Sequence, residues 1–276
     1  MSAIAGNKTV TGLVRPPRTW SGSLTLRRGV VGIAVALITW ELLARSGAFA
    51  AGTLPPATAV LIEMGRAVAE GSVLTPLAQT LRGWALGLAL VVAIAVPVGV
   101  LIGRVELVHR SVRPLFEFAR PIPGVTYLPL LLLMYGPTAT MKIWMIALAA
   151  VWPLLFQTYY GVKAIEPVTI DTARVFRVSG LDRVRKVFLP ATLPFIATGF
   201  RISSAIALIV AVVAELVGGA PGLGERIYSA QTSGAYDTMY AYIGFAGCLG
   251  VVINFATRRL ERRLLGWHVL HREDVA

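Results

Sequence analysis

Few residues in this chain are of a type and spacing suited to making or breaking bonds. Its histidines are His109, His268 and His271. The pair His268-x2-His271 sits in a basic tail, and no metal site is expected there. Cys248 is the single cysteine, so an intrachain disulfide and a cysteine metal cluster are both excluded. No Ser-His-Asp set is legible. There is no G-x4-G-K-[ST] phosphate loop either, so the chain is not expected to hydrolyse ATP itself. The most unusual ionisable residue is Glu215, near the end of a long apolar run. An acid at membrane depth is costly and normally faces a protein interior or water. Glu215 is therefore a candidate to brace an outer gate or the glycine-rich loop 218–224, with a structural pairing as the plainer alternative. Tyr127, Met134 and Gln157 are candidates for lining a pathway, with helix packing as their plainer reading. The residues point to a non-catalytic protein.

What must position these side chains is a set of membrane helices. Apolar residues make up 56% of the 276 and charged residues 14%, and the mean hydropathy is +0.71. A soluble domain carries roughly 25% charged residues, so lipid must cover much of this surface. A helix needs about 20 apolar residues to cross the hydrocarbon core. Six candidate spans follow, at 29–44, 77–103, 119–135, 143–161, 195–217 and 241–257. The runs are continuously apolar and do not alternate, which favours helices over a barrel. The third is interrupted by Pro121, Pro123 and Pro129. Gly83-x3-Gly87 and Gly99-x3-Gly103 in the second span, and Gly244, Gly247 and Gly250 in the sixth, suit close helix packing in lipid. Ahead of the second span, Leu54-Pro55-Pro56 is expected to precede a short amphipathic helix at 61–70.

The net charge of +12 would suit nucleic acid, but its distribution points to topology. With both termini on the inner side, the inner segments hold 20 of the 26 lysines and arginines and the outer segments hold four: Arg45, Arg66, Lys142 and Arg226. This is the positive-inside pattern. It makes residues 1–28 a cytoplasmic basic arm and 258–276 a cytoplasmic basic tail, with the membrane domain at 29–257. Arg201 is expected to reach inward to the cytoplasm. Ala48-Phe49-Ala50 resembles a cleavage site, but the long basic region before the first run, with Glu41 and Arg45 at its end, favours a retained helix. Glu41 and Arg45, four apart, are expected to pair.

The inner segment 162–194 is the longest inner connection and is patterned as structure. Ser179-x-x-Asp182 reads as a helix start. Leu181, Val184, Val187 and Phe188 then recur at helical spacing, with Asp182, Arg183, Arg185 and Lys186 on the other face. Leu189-Pro190 is expected to end this helix. A preceding short helix is expected at 170–178, with Asp171 in its first turn and a bend near Ser179-Gly180. An apolar stripe on an inner loop needs a partner, either lipid headgroups or a groove in a cytoplasmic protein.

This segment resembles the EAA loop of ABC-importer permeases: E-A-A, three residues, G, nine residues, I-x-L-P. Here the residues are Asp171-Thr172-Ala173, three residues, Arg177, nine residues, and Val187-Phe188-Leu189-Pro190. Arg177 stands where the family has glycine, and Gly180 is expected to supply the bend. The resemblance runs from about Leu54 to Trp267 and is nearest the sulfonate, taurine and nitrate permeases. It is carried by Thr80-Leu81-Arg82-Gly83, Arg120-Pro121-Ile122-Pro123, Leu128-Pro129-Leu130, Tyr135-Gly136, Trp152-Pro153, Ala214-Glu215, Gly222-Leu223-Gly224 and Leu260-Glu261-Arg262. Thr126-Tyr127 departs from the small residues usual there.

The resemblance implies an all-α, type I importer permease fold in the bacterial inner membrane. It implies a second permease copy (a homodimer), a cytoplasmic ABC ATPase dimer that binds ATP and magnesium, and an extracytoplasmic solute-binding protein. No cofactor is expected on this chain. Residues 171–190, including Leu181, would couple to the ATPase, and ATP-driven closure would switch the cavity between faces. The first alternative is a secondary transporter or channel without an ATPase, which would usually show mid-span ionisable residues. An integral-membrane enzyme is the other, and it would need a catalytic cluster.

Overall fold

The computed structural model describes residues 22–50, 52–119 and 121–266. The arm before residue 22 and the tail from Trp267, with His268 and His271, lie outside the described residues. Among those described there are helices and no strand. They are α1 (Gly22–Arg45), α2 (Ala57–Ala69), α3 (Leu74–Arg104), α4 (Glu106–Ala119), a 3-10 turn (Gly124–Tyr127), α5 (Leu128–Tyr135) and α6 (Ala139–Lys163). After these come α7 (Pro167–Val175), α8 (Gly180–Arg183), a π turn (Val184–Phe188), α9 (Leu189–Gly218), α10 (Leu223–Thr232) and α11 (Tyr236–Leu264).

Four segments are long and apolar enough to cross a bilayer: Leu74–Arg104, Ala139–Lys163, Val184–Thr232 and Tyr236–Leu264. Two expected spans differ from these. α1 carries Arg27, Arg28, Glu41 and Arg45 along its length and exposes most of its apolar side chains. The third expected span is broken: α4 stops at Ala119, and helix resumes only at Gly124. Its prolines explain the gap, because each lacks an N–H donor and restricts the residue before it. By contrast, Pro97 and Pro153 sit inside unbroken helices.

The core lies between α3, α6 and α9. It contains Val91, Ala95, Met141, Met145, Ile146, Ala150, Leu154, Ala207, Ala211 and Ala214, all essentially solvent-free. Small residues make this possible. The α3 glycines all face α6, and a β-carbon added at Gly87 would lie 2.6 Å from Ile146 Cγ2, while one at Gly103 would lie 2.7 Å from Val162. Lipid gives no hydrophobic drive between helices, so backbone approach and dispersion hold this contact. The sixth span uses its glycines less uniformly. Gly244 meets Met64 of α2, whereas a β-carbon at Gly247 would meet nothing within 4 Å.

A second cluster joins Ala67 and Val73 to Leu223, Ile227, Tyr242, Leu249 and Ile253. It packs α2, α10 and α11 together. α2 begins directly after Pro56, earlier than its sequence pattern suggested, because Glu41 of α1 accepts from Thr58 N at 3.1 Å and Thr58 Oγ1 at 3.0 Å. A carboxylate at a helix N-terminus is favourable. Glu41 also pairs with Arg45 at 2.6 Å.

Two helices, α4 and α10, have no counterpart among the sequence expectations. In α4, Val108, Val112 and Phe116 recur every four residues and pack toward the core. Glu106 ties its start to α6 through Lys163, 2.9 Å away. Hydrogen bonding from Lys163 and then Arg110 holds the Glu106 carboxyl at about 2.

Candidate functional site

Two sites occupy opposite ends of α9. At its N-terminal end, α7 and α8 form a helical hairpin beyond the ends of α3 and α6. Pro167 opens α7 at its first turn, where its missing donor costs nothing. α7 closes with a Schellman arrangement. Val178 N donates to Ala173 O at 3.0 Å and Arg177 N donates to Arg174 O at 2.9 Å. The motif requires a left-handed residue, and Arg177 takes it with φ +50°, the single positive-φ non-glycine among the described residues. The bend therefore falls on Arg177, the position of the family glycine. Gly180 instead opens α8. Asp171 lies in the middle of α7, not in its first turn, and bonds Arg174 at 2.9 Å. Ala173 is buried, while Thr172 bonds back to Val168 O at 2.7 Å.

A left-handed residue with a β-carbon costs roughly 1–2 kcal/mol. Arg177→Gly is thus expected to firm the bend by about 1 kcal/mol, roughly fivefold in its opening equilibrium. Hydrogen exchange at the Arg177 and Val178 amides checks this. Faster exchange in the variant would contradict the strain.

Ser179 accepts from Asp182 N at 3.2 Å and starts α8. The helix does not end at Leu189-Pro190 as the sequence suggested. It widens into the π turn, where Leu189 N bonds Val184 O five residues back, and runs on into α9 with Pro190 in the first turn. The wider turn absorbs the proline without a break.

The apolar stripe also divides differently. Val187 faces α7 across a shallow cleft lined by Val168, Ala173, Phe176 and Val178. The Phe188 ring lies under the Arg104 guanidinium, 3.8 Å from its centroid, so these two residues hold the hairpin to its own protein. Val184 and Leu189 are exposed. Among the described side chains of the hairpin, the most exposed apolar ones are on α7 and its C-cap: Val168 at 71%, Val175 at 79% and Phe176 at 76%; the Leu181 side chain lies outside those described.

At the other end of α9 lies a buried ion pair. Lys142 Nζ and Glu215 Oε1 are 2.7 Å apart, with side chains 1% and 0% exposed. Lys142 uses its two other donors on Gln79 O at 3.1 Å and Pro221 O at 2.8 Å. Glu215 Oε2 accepts from Thr80 Oγ1 at 2.9 Å and Gly224 N at 3.0 Å. Thr80 in turn accepts from Leu223 N at 2.9 Å. One network thus joins α3, α6, α9 and the loop leading to α10. The loop is fitted closely to it: Gly219, at φ +69°, caps α9, and a β-carbon at Gly222 would fall on the Glu215 carboxylate. Lys142 is therefore not an outer-loop cation. It lies in the first turn of α6, and sequence reasoning missed its role.

The remaining candidates are dispersed. Tyr127 is half-buried against the core, Met134 is 60% exposed on α5, and Gln157 sits where α6 meets Gly199 of α9. Arg201 pairs with Glu261 of α11 at 3.4 Å.

The profile of the binding-protein-dependent transport system inner membrane component matches residues 95–266. The taurine transport system permease protein TauC of Escherichia coli (strain K12) is 30% identical over 254 residues, covering 90% of this chain and 92% of that protein. The nitrate import permease protein NrtB of Leptolyngbya laminosa is 30% identical over 253 residues, covering 87% and 90%. Among solved structures, the inward-facing MetNI methionine ABC transporter superposes with a TM-score of 0.60 at 22% identity, covering 70% of this chain and 95% of that one. The helical frame, the hairpin between its second and third long apolar segments and the match over most of its length agree: this chain belongs to the binding-protein-dependent inner-membrane components, the multi-pass permeases of ABC importers.

Proposed function

We propose that this chain works as one of two identical permease copies. The α7–α8 hairpin of each sits in a groove of a cytoplasmic ATPase dimer, and an extracytoplasmic binding protein delivers the solute. ATP and magnesium belong to the ATPase. Both termini are assigned to the cytoplasm by the distribution of basic residues. The carrying observation is the hairpin itself. It presents three largely exposed apolar side chains, two of them flanked in sequence by Arg174 and Arg177, on a backbone held by a Schellman motif and anchored under Arg104. An apolar helix face on a fixed support suits helix-in-groove recognition. Glu215 and Lys142 serve at the opposite face, holding loop 219–224. Tyr127, Met134 and Gln157 are assigned to the pathway between the two copies.

The test is reconstitution. The chain, co-expressed with an ABC ATPase subunit of the same organism, is placed in vesicles with a solute-binding protein. The expected result is a complex of two permeases and two ATPases whose solute uptake requires ATP and binding protein. Uptake driven by an ion gradient without nucleotide would replace this reading with a secondary transporter.

A further inference from the structure

At the hairpin end of the molecule, α4 runs antiparallel along α6, and the two line a partly open cavity of about 300 Å³. This is the lower end of the size range of small-molecule sites, roughly 300–1,000 Å³. One side is aromatic. Phe116 and Phe156 meet edge to face at 6.0 Å, and Tyr159 stacks on His109 at 5.0 Å with rings 14° apart. The other side is charged. Arg113 Nε donates to Glu117 Oε1 at 2.8 Å.

The spacing explains how both chemistries reach one space. Val108, Val112 and Phe116 turn one stripe of α4 to the core. The adjoining stripe, His109, Arg113 and Glu117, lines the cavity four residues at a time. A solvated ion pair at this spacing contributes little to stability, so the fold gains little from placing it over aromatic rings. With Nε committed to Glu117, a bound anion would meet the Nη side of the guanidinium, a geometry suited to paired oxygens. Flat apolar matter would lie along the rings. Basic pockets between helices at the cytoplasmic side are also where acidic lipid headgroups bind.

We propose that this cavity binds an oxyanion group carried on an apolar body. A soluble organic anion and an acidic phospholipid share that chemistry. The inference concerns neither hairpin docking nor solute delivery, and it stands or falls separately from the importer reading.

The experiment uses the full-length chain in nanodiscs of phosphatidylcholine, with fluorobenzenesulfonate as the probe, followed by fluorine NMR. Saturable binding is expected. Arg113→Gln should weaken it about tenfold, the scale of one charge-assisted contact. Arg113 is largely exposed, so this variant should fold. Glu117→Gln should tighten binding about threefold, because it removes a competing carboxylate; a merely structural pair predicts no such gain. Arg110→Gln, on another face of α4, should change it less than about twofold. A second arm adds phosphatidylglycerol to the nanodisc. Competition with the probe supports the site and assigns it to phospholipid; no competition supports it and assigns it to a soluble anion. The proposal is overturned if neither arm shows saturable binding, or if Arg110→Gln weakens binding as much as Arg113→Gln.

Discussion

Replacing Glu215 by alanine is expected to destabilise the protein by about 3–5 kcal/mol, the usual cost of breaking a buried pair by removing one partner. The variant would leave Lys142 essentially solvent-free, with two backbone carbonyls as neighbours and no counter-charge. It would also strip the acceptor from Thr80 Oγ1 and Gly224 N, and unmet buried donors each add to the loss. Lys142→Met should be costly for the converse reason, since it strands the Glu215 carboxylate. The double variant Lys142→Met, Glu215→Leu should recover the part of the loss that comes from the uncompensated charge, because apolar replacement of a whole buried pair is often neutral or better, while Thr80 Oγ1 and Gly224 N still lack their acceptor. Thermal unfolding of the parent chain, Glu215→Leu, Lys142→Met and their double variant in one detergent measures the coupling. If the double variant melts as low as the sum of the two singles, the pair is not a unit. Transport by the folded double variant then separates stability from function. Loss of uptake at near-normal stability would show that the network is needed to hold loop 219–224 in place.

The second large effect concerns the hairpin. Val175→Asp with Phe176→Asp should abolish ATPase association and lower ATP-dependent uptake more than about a hundredfold, since a few central apolar contacts usually carry most of an interface. Both side chains are more than three-quarters exposed, so the protein should still fold and insert. The competing idea is a hairpin resting on lipid headgroups. In that case the ATPase would co-purify with the variant as with the parent chain. Phe188→Asp is an unsuitable probe: its ring supports Arg104, so the change would disturb the permease's own packing as well.

How much of this was legible in the residues depended on the range of the interaction. The long apolar helices were readable because each is continuous along the chain. The hairpin was readable too, since Ser179-x-x-Asp182 and the spacing from Asp171 to Pro190 are local. Its fine structure was less so. The left-handed turn went to Arg177 because the hydrogen bonds back to Ala173 and Arg174 demand it there, whatever residue stands at that place. Helix α4 was passed over because Arg110, Arg113 and Glu117 look like loop residues, although Val108, Val112 and Phe116 held the periodic signal. Lys142 was least legible. It stands 73 residues from Glu215, at the edge of an apolar run, where a lysine ordinarily snorkels to water. Only the approach of α3 to α6, through Gly83, encloses it.

The unbroken passage of the π turn into α9 has a mechanical result. Thirty residues of helix form a rod about 45 Å long at roughly 1.5 Å per residue. Its foot is fused to the hairpin and its head is bolted to loop 219–224. A push at the foot that tilted such a rod by about 5° would displace the head sideways by about 4 Å, by the same length. Because that helix is continuous from one face to the other, with Pro194 as its one interior proline, a swing of the whole rod would carry motion across the membrane without a relay of side chains.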